Sequence, residues 1–424
     1  MKSPLGWGQS SPIIDFLRSN MKGKNIAVYD NANSAWVIKI PKVFSFLRQP
    51  DDVLNVIYSI ITVSPHKALF FDHSALEEMD LGASALLDVV VVNLRREWLA
   101  KGEKFVLAGL LPENPEMRDI FICTGLTRHL KISSAQPSLE LRKTFKQFPL
   151  FEGRKTRRHD LSSTDQEIAA TQLAKHINAC IQLAGRTGLS KEGQRQLLKW
   201  AGEIISNAED HSGQNEWFAI AYMRPVLASS PVPENSKGEI IGECQLAIFG
   251  FGTTLYESLS AGSTPDETKE QISRLADKHK SFFSIGLRYT AMDLWTLYAL
   301  QDGVSRFSTR PGQTSRGKGT VEMIEAFQHL GKTLDPTKKP EMSLISGYSR
   351  IYFNDKYHLR EQAVEGGTRQ IIAFNSDNDL EKKPDSDHVH SLVSKLPGTL
   401  LTCKFYVDSR YLETLGNAVA NSKS

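Results

Sequence analysis

From about residue 31 the chain alternates short apolar runs with longer stretches in which apolar residues recur every three or four positions. "AWVIKI" (Ala35–Ile40), "KALFFDHS" (Lys67–Ser74) and "KFVLAGLL" (Lys104–Leu111) read as strands. Between them, "PDDVLNVIYSIITV" (Pro50–Val63) reads as a helix, with proline and two acids at its start as helix N-termini favour. "LGASALLDVVVVNLRREWLAKG" (Leu81–Gly102) reads as a second helix, and "PEMRDIFICTG" (Pro115–Gly125) as a short third one. This order predicts a compact α/β domain over residues 31–140, preceded by a loose lead-in over 1–30. Residues 141–163 are polar and basic and read as a linker.

Beyond the linker the pattern changes. A helix opens on the capping box Thr164-x-x-Glu167 and runs to about Ala184. A second runs from Ser190 to about His211 and stops near Gly213. Strand-like runs follow at 216–224, 244–251, 342–354, 369–375 and 400–407, with helical stretches at Thr264–His279, Gly286–Leu300 and Val321–Leu330. Pro225–Glu239 reads as an exposed hairpin loop. Helices mixed with mostly antiparallel strands predict an α+β second domain over 164–424.

Composition narrows the class. The 424 residues are 40% hydrophobic and 23% charged, as in ordinary globular chains, and a net charge of +3 does not point to nucleic acid. The basic run "GRKTRRH" (Gly153–His159) fits a solvated linker. The four cysteines show no metal-ligand spacing and read as buried, reduced thiols. The start "MKSPLGWGQSSP" lacks the apolar core of a signal peptide. Ala85–Leu94, the longest near-apolar run, is interrupted by Asp88 and too short to span a bilayer. A cytoplasmic protein without membrane contact is the expectation.

Candidate chemistry begins at "EIISNAEDHS" (Glu203–Ser212), where asparagine, a poor helix former, sits inside a predicted helix. At about 100° per residue, Leu197, Leu198, Ala201, Ile204, Ile205 and Ala208 share one apolar arc. Glu203, Asn207 and His211 follow the edge of that arc, where a buried face meets something polar. A carboxylate at Glu203 suits a general base, and the amide oxygen of Asn207 suits a Mg2+ ligand. On this segment alone, a border helix with incidental polar residues is the simpler explanation. Three glycine-bearing segments follow. "IFGFG" (Ile248–Gly252) ends a predicted strand, with Gly250 and Gly252 permitting a sharp turn and a close backbone approach. "TSRGKG" (Thr314–Gly319) places Arg316, Gly317, Lys318 and Gly319 before an amphipathic helix, where free backbone N–H groups attract anions. "LPGT" (Leu396–Thr399) enters the last strand.

In that order these elements resemble the GHKL ATP-binding superfamily, the gyrase, Hsp-type chaperone and histidine kinase group, in its anti-sigma-kinase branch. The resemblance covers about residues 165–410. It implies a Bergerat-type α/β sandwich, a mixed sheet with helices on one face. It also implies bound ATP and Mg2+ under a lid at about 258–315. Carried across, Glu203 is the general base and Asn207 the metal ligand. Gly250 and Gly252 shape the pocket. Gly317 and Gly319, with Arg316 and Lys318, hold phosphates, and Thr399 holds the base through water. One position departs from the pattern: Ile248 stands where the family has the aspartate that accepts the adenine amino proton.

The front domain resembles STAS domains, with Asp72 ending a strand and Asp80 preceding a helix. Leu81 and Gly82 occupy the positions of the phosphorylatable serine, and Ser84 lies a little farther on, so docking or sensing is expected instead of phosphate acceptance. Together the two resemblances imply a nucleotide-switched regulator with protein partners, a homodimer among them, that hydrolyses ATP slowly. A setting in bacterial signalling or defence follows by analogy. A serine kinase of the anti-sigma type and a non-catalytic scaffold with a degenerate site are the alternatives.

Overall fold

A computed structural model describes residues 12–64, 67–125, 138, 150–155, 163–185, 198, 201–202, 205, 217–227, 240–261, 264–279, 290–302, 304, 319–330, 333, 335–364 and 367–407. The chain divides into two compact units, 1–147 with 392–397, and 148–391 with 398–424. Both mix helices with sheets, and the chain is of the mixed α/β class.

The first unit runs α1 (Pro12–Asn20), β1 (Val28–Asp30), β2 (Ala35–Lys39), β3 (Val43–Phe44), α2 (Pro50–Thr62), β4 (Ala68–Asp72), β5 (Glu78–Met79), α3 (Leu81–Ala100), β6 (Leu107–Leu110) and α4 (Pro115–Thr124). Its main sheet has the order β1-β2-β4-β6, with β2, β4 and β6 parallel and β1 antiparallel to β2. Helix starts follow local chemistry. Pro50, Asp51 and Asp52 open α2, the Asp80 carboxylate caps α3, and the Asn114 side chain caps α4 ahead of Pro115. Ile38, Leu54, Ile57, Leu69, Phe71, Leu86, Val90 and Leu94 are buried in this unit.

Part of the stretch read as a lead-in is α1. Its Ile13, Ile14 and Leu17 are buried, each worth about 1.5–3 kcal/mol relative to exposure. Nine residues with a narrow apolar stripe among Ser and Pro carry little periodic signal; packing makes the helix. Strand β6 is also shorter than "KFVLAGLL" suggests, because it lies at the sheet edge and its last three residues are exposed.

The second unit contains β7 (Phe151–Lys155), α5 (Ser163–Gly185), β8 (Trp217–Leu227), β9 (Ile240–Phe251), α6 (Leu255–Ser260), α7 (Asp266–His279), α8 (Ala291–Tyr298), α9 (Gly319–Leu330), β10 (Glu341–Phe353), β11 (Arg360–Val364), β12 (Gly367–Ile371) and β13 (Val389–Val407). Residues 392–397 of β13 are the part counted with the first unit. Five strands form one sheet in the order β10-β13-β9-β8-β7, and β11 and β12 make a separate hairpin. Alternate residues of β8 (Trp217, Ala219, Ala221, Met223), β9 (Cys244, Leu246, Ile248) and β13 (Leu401, Cys403, Phe405) share one core with Leu173 and Ile177 of α5 and Ile324 and Phe327 of α9.

The stretch read as a linker also carries structure. Phe151–Lys155 pairs antiparallel with Trp217–Ala221 as the edge strand β7. Its basic residues mask the strand signal, while Phe151 is buried and a Cβ at Gly153 would lie 3.3 Å from the Trp217 ring.

Candidate functional site

The sheet of the second unit brings two distant segments into register. Thr399 of β13 lies opposite Gly250 of β9, and Gly250 opposite Trp217 of β8. One row deeper, Leu401, Ile248 and Ala219 lie side by side. Both rows sit on the face that receives the helices, since Trp217, Ala219, Ile248 and Leu401 belong to the shared core.

Backbone geometry at this end of the sheet requires glycine. Gly398 has φ +143°, and a Cβ there would stand 2.1 Å from the Gly250 carbonyl oxygen and 2.8 Å from the Phe251 Cα. Gly252 has φ +144°, which bends the chain out of β9. Gly347, with φ +65°, places β10 against Thr254, whose Cγ2 a Cβ would meet at 3.1 Å. Thr254 then starts α6 through a capping box with Glu257.

The polar centre of the site is a residue that sequence reading missed. Ser346 Oγ of β10 accepts a hydrogen bond from the Leu255 N–H at 2.8 Å and lies 2.9 Å from Thr399 Oγ1. It also lies 3.5 Å from the Gly398 carbonyl oxygen. Ser346 is buried and Thr399 half-buried. The only signal for Ser346 is a serine and a glycine in the middle of an apolar strand, which on its own reads as a bulge. Ile248, by contrast, is 2% exposed and surrounded by aliphatic neighbours.

Glu203, Asn207, His211, Arg316, Gly317 and Lys318 lie outside the described residues. In the same stretch of sequence, Ala201 and Ile205 are helical and fully buried in the same core as Ile248, in keeping with the apolar arc. Leu198 departs from that arc: one turn farther toward the N-terminus, it is 41% exposed. Gly319 is the first residue of α9, whose Val321, Ile324 and Phe327 are buried.

On the opposite face of the sheet, buried Phe249, Phe251 and Leu400 are accompanied by a group of charged side chains. Burial opposes ionisation of Glu243, but Arg224 Nε at 2.9 Å and the positive field of Lys404 hold its carboxyl below the usual range. Lys404 Nζ in turn lies 3.4 Å from Glu341, which accepts from the Tyr352 hydroxyl at 2.7 Å. The thiols of Cys180, Cys244 and Cys403 are free and buried; burial pushes Cys180 and Cys403 up to about 12 and Cys244 well above the ordinary value. Protonated thiols of this kind are neither nucleophiles nor ready metal ligands. Among the described residues no group of three or more His, Cys, Asp and Glu is placed to hold a metal ion.

In the first unit Asp80 and Ser84, two of the positions singled out by the STAS resemblance, are closed. Asp80 is buried at the N-terminus of α3 and accepts from Ser45 Oγ at 2.7 Å, Leu47 N–H at 3.0 Å and Ala83 N–H at 2.8 Å. Burial pushes its carboxyl above the usual range, against those bonds. Ser84 is 1% exposed, so no phosphoryl donor reaches its hydroxyl without opening the helix. Asp72, partly exposed, accepts from the Ser74 hydroxyl at 2.6 Å, which holds its carboxyl below the usual range. Beside it, His73 is buried against Phe121 at 4.4 Å between ring centroids. Burial pushes the ring down to about 4 and so keeps it neutral; its Nδ1–H donates to the Leu110 carbonyl at 3.2 Å, which leaves the unshared pair on Nε2.

No described helix is long and apolar enough to cross a membrane. In comparisons with protein-family models, with curated proteins and with solved structures, nothing matches the chain.

Proposed function

We propose that the second unit binds ATP with Mg2+ and works as a nucleotide-controlled switch for a protein partner, with the first unit, STAS-like in its pattern, serving as a docking module. The observation that carries this reading is the register of Thr399 with Gly250 and of Gly398 with Phe251. Two segments far apart in sequence meet at one sheet end, beside the core that Ala201 and Ile205 enter.

In this reading Asn207 supplies a hard oxygen to Mg2+, which spreads the phosphate charge when bound. Glu203 takes a proton from water or from an acceptor hydroxyl. The amides of Gly317 and Gly319, with Arg316 and Lys318, hold the phosphates at the start of α9. The switch consists of closing the lid, at about 258–315, over the nucleotide and so changing the surface offered to a partner.

A second reading, a scaffold with a degenerate site, is favoured by the buried aliphatic Ile248. Turnover measured on purified protein separates the two. Glu203→Gln is expected to abolish ATP hydrolysis, or transfer to a protein serine, while leaving nucleotide binding nearly intact. Asn207→Ala is expected to weaken the Mg2+-dependent part of binding. Wild-type turnover in Glu203→Gln refutes the general-base assignment, and no turnover by the wild type at all favours the scaffold.

A further inference from the structure

We infer that the edge strand β6 of the first unit is a self-association site. It pairs antiparallel with β6 of a second copy of this chain about a two-fold axis at Ala108, joining two four-stranded sheets into one continuous sheet. This goes beyond the nucleotide reading and does not depend on it.

The strand leaves one edge open. The Val106 and Leu110 carbonyls accept from the N–H groups of Leu69 and His73, so these two residues turn their backbone oxygens toward β4. Strand alternation turns the N–H and C=O groups of Leu107 and Gly109 the other way. Among the described residues no strand pairs with that edge. Charged residues or proline ordinarily keep an edge strand single, and the run from Phe105 to Leu111 has neither. The opposite edge is guarded: β1 is three residues long and ends on Asp30, whose carboxylate accepts from the Ala32 N–H and the Asn33 side chain.

The side chains select both the occupant and the register. Phe105 packs on Trp98 of α3, with 5.2 Å between ring centroids, so Phe105 and Leu107 look toward the helices and Val106, Ala108 and Leu110 look away. Val106 is 51% and Leu110 49% exposed, and Ala108 between them is exposed as well. With the axis at Ala108, Leu107 of each copy exchanges both backbone hydrogen bonds with Gly109 of the other, and Val106 of each lies across from Leu110 of the other. An axis at Leu107 or at Gly109 sets one of these large side chains against Ala108 instead. The charges agree with the two-fold: exposed Lys104 precedes the strand and exposed Glu113 follows it, so Lys104 of each copy comes to the end that bears Glu113 of the other. A strand of four residues buries less than the roughly 1,200 Å2 of a stable interface, so the dimer exchanges with monomer.

The test is sedimentation of the full-length wild type over a range of concentrations, beside two substitutions of exposed Ala108. A reversible monomer–dimer equilibrium, half-associated on the order of 10 µM, is expected. Ala108→Lys sets two like charges against each other on the axis and is expected to weaken association by about 10-fold or more. In Ala108→Cys the two thiols face each other across a non-hydrogen-bonded pair, a spacing that suits a disulfide. Oxidised glutathione is expected to cross-link that variant into a dimer and to leave the wild type, with its own Cys123, uncrosslinked. If Ala108→Lys does not fold, the cross-link decides. A folded wild type that stays monomeric to about 100 µM overturns the inference. So does a dimer that Ala108→Lys leaves unchanged, or an Ala108→Cys variant that cross-links no more than the wild type.

Discussion

Both units place a polar side chain beside the start of a helix, but they treat it in opposite ways. In the first unit Asp80 caps α3 and is saturated: Ser45, Leu47 and Ala83 occupy its two oxygens, and the whole group is buried. In the second unit Ser346 takes the Leu255 N–H at the start of α6, yet its pairing with Thr399 leaves one hydroxyl proton to be assigned, and Thr399 is half-buried. A saturated group stabilises and does nothing more. A group with spare hydrogen-bonding capacity at glycine-shaped strand ends can meet a ligand. The contrast fits the proposal, which assigns the chemistry to the second unit and docking to the first.

The comparison can be broken in several ways. The largest effect is expected from Gly398→Ala. Its Cβ meets the Gly250 carbonyl oxygen at 2.1 Å with φ at +143°, so the second unit should lose about 4 kcal/mol or more, or fail to fold. Hydrogen exchange read peptide by peptide checks that the loss centres on β9 and β13. Next, Asp80→Ala removes the α3 cap and takes a buried acceptor from the Ser45 hydroxyl and the Leu47 N–H. A loss of about 2 kcal/mol in the first unit is expected in chemical denaturation. Preserved nucleotide affinity in that variant sharpens the division of labour.

Acid should reveal the first unit through His73. The folded ring titrates near 4 and the unfolded one near 6.5, so between these values the unfolded chain holds more protons. Stability is therefore full above about 6.5 and falls as the pH drops toward 4, by on the order of 3 kcal/mol. His73→Phe, which keeps a ring against Phe121, should flatten that part of the profile in the first unit. An unchanged slope there contradicts the assignment. The smallest effect is expected from Thr254→Ala, which breaks the α6 capping box at a cost of about 1 kcal/mol. If that helix start holds Ser346 in place, ligand affinity should weaken along with stability; an affinity that does not move separates the two roles.

Much of the fold was legible in the sequence because period and cap chemistry are local. Pro50 with two acids, Asp80, and Asn114 before Pro115 mark helix starts, and the alternation in β8 and β9 marks which residues enter the core. What escaped was set by packing. In α1, Ile13, Ile14 and Leu17 make a helix only because a core receives them, and β7 becomes a strand only because β8 offers an edge. For the site, Gly250, Gly252 and Thr399 could be singled out as glycine-rich turns and strand entries. Ser346 could not, because its role comes from a register across β10 and β13 that no local pattern encodes. Glu203, Asn207, Arg316, Gly317 and Lys318 lie outside the described residues, so their part in the account is carried by chemistry and sequence order.

The most direct test of the central claim is a calorimetric titration of the purified full-length chain with a non-hydrolysable ATP analogue, with and without Mg2+. The account predicts saturable binding on the order of micromolar strength that weakens clearly when Mg2+ is withdrawn. No binding heat at several temperatures, from a sample shown to be folded, contradicts it and leaves the second unit as a scaffold for other proteins.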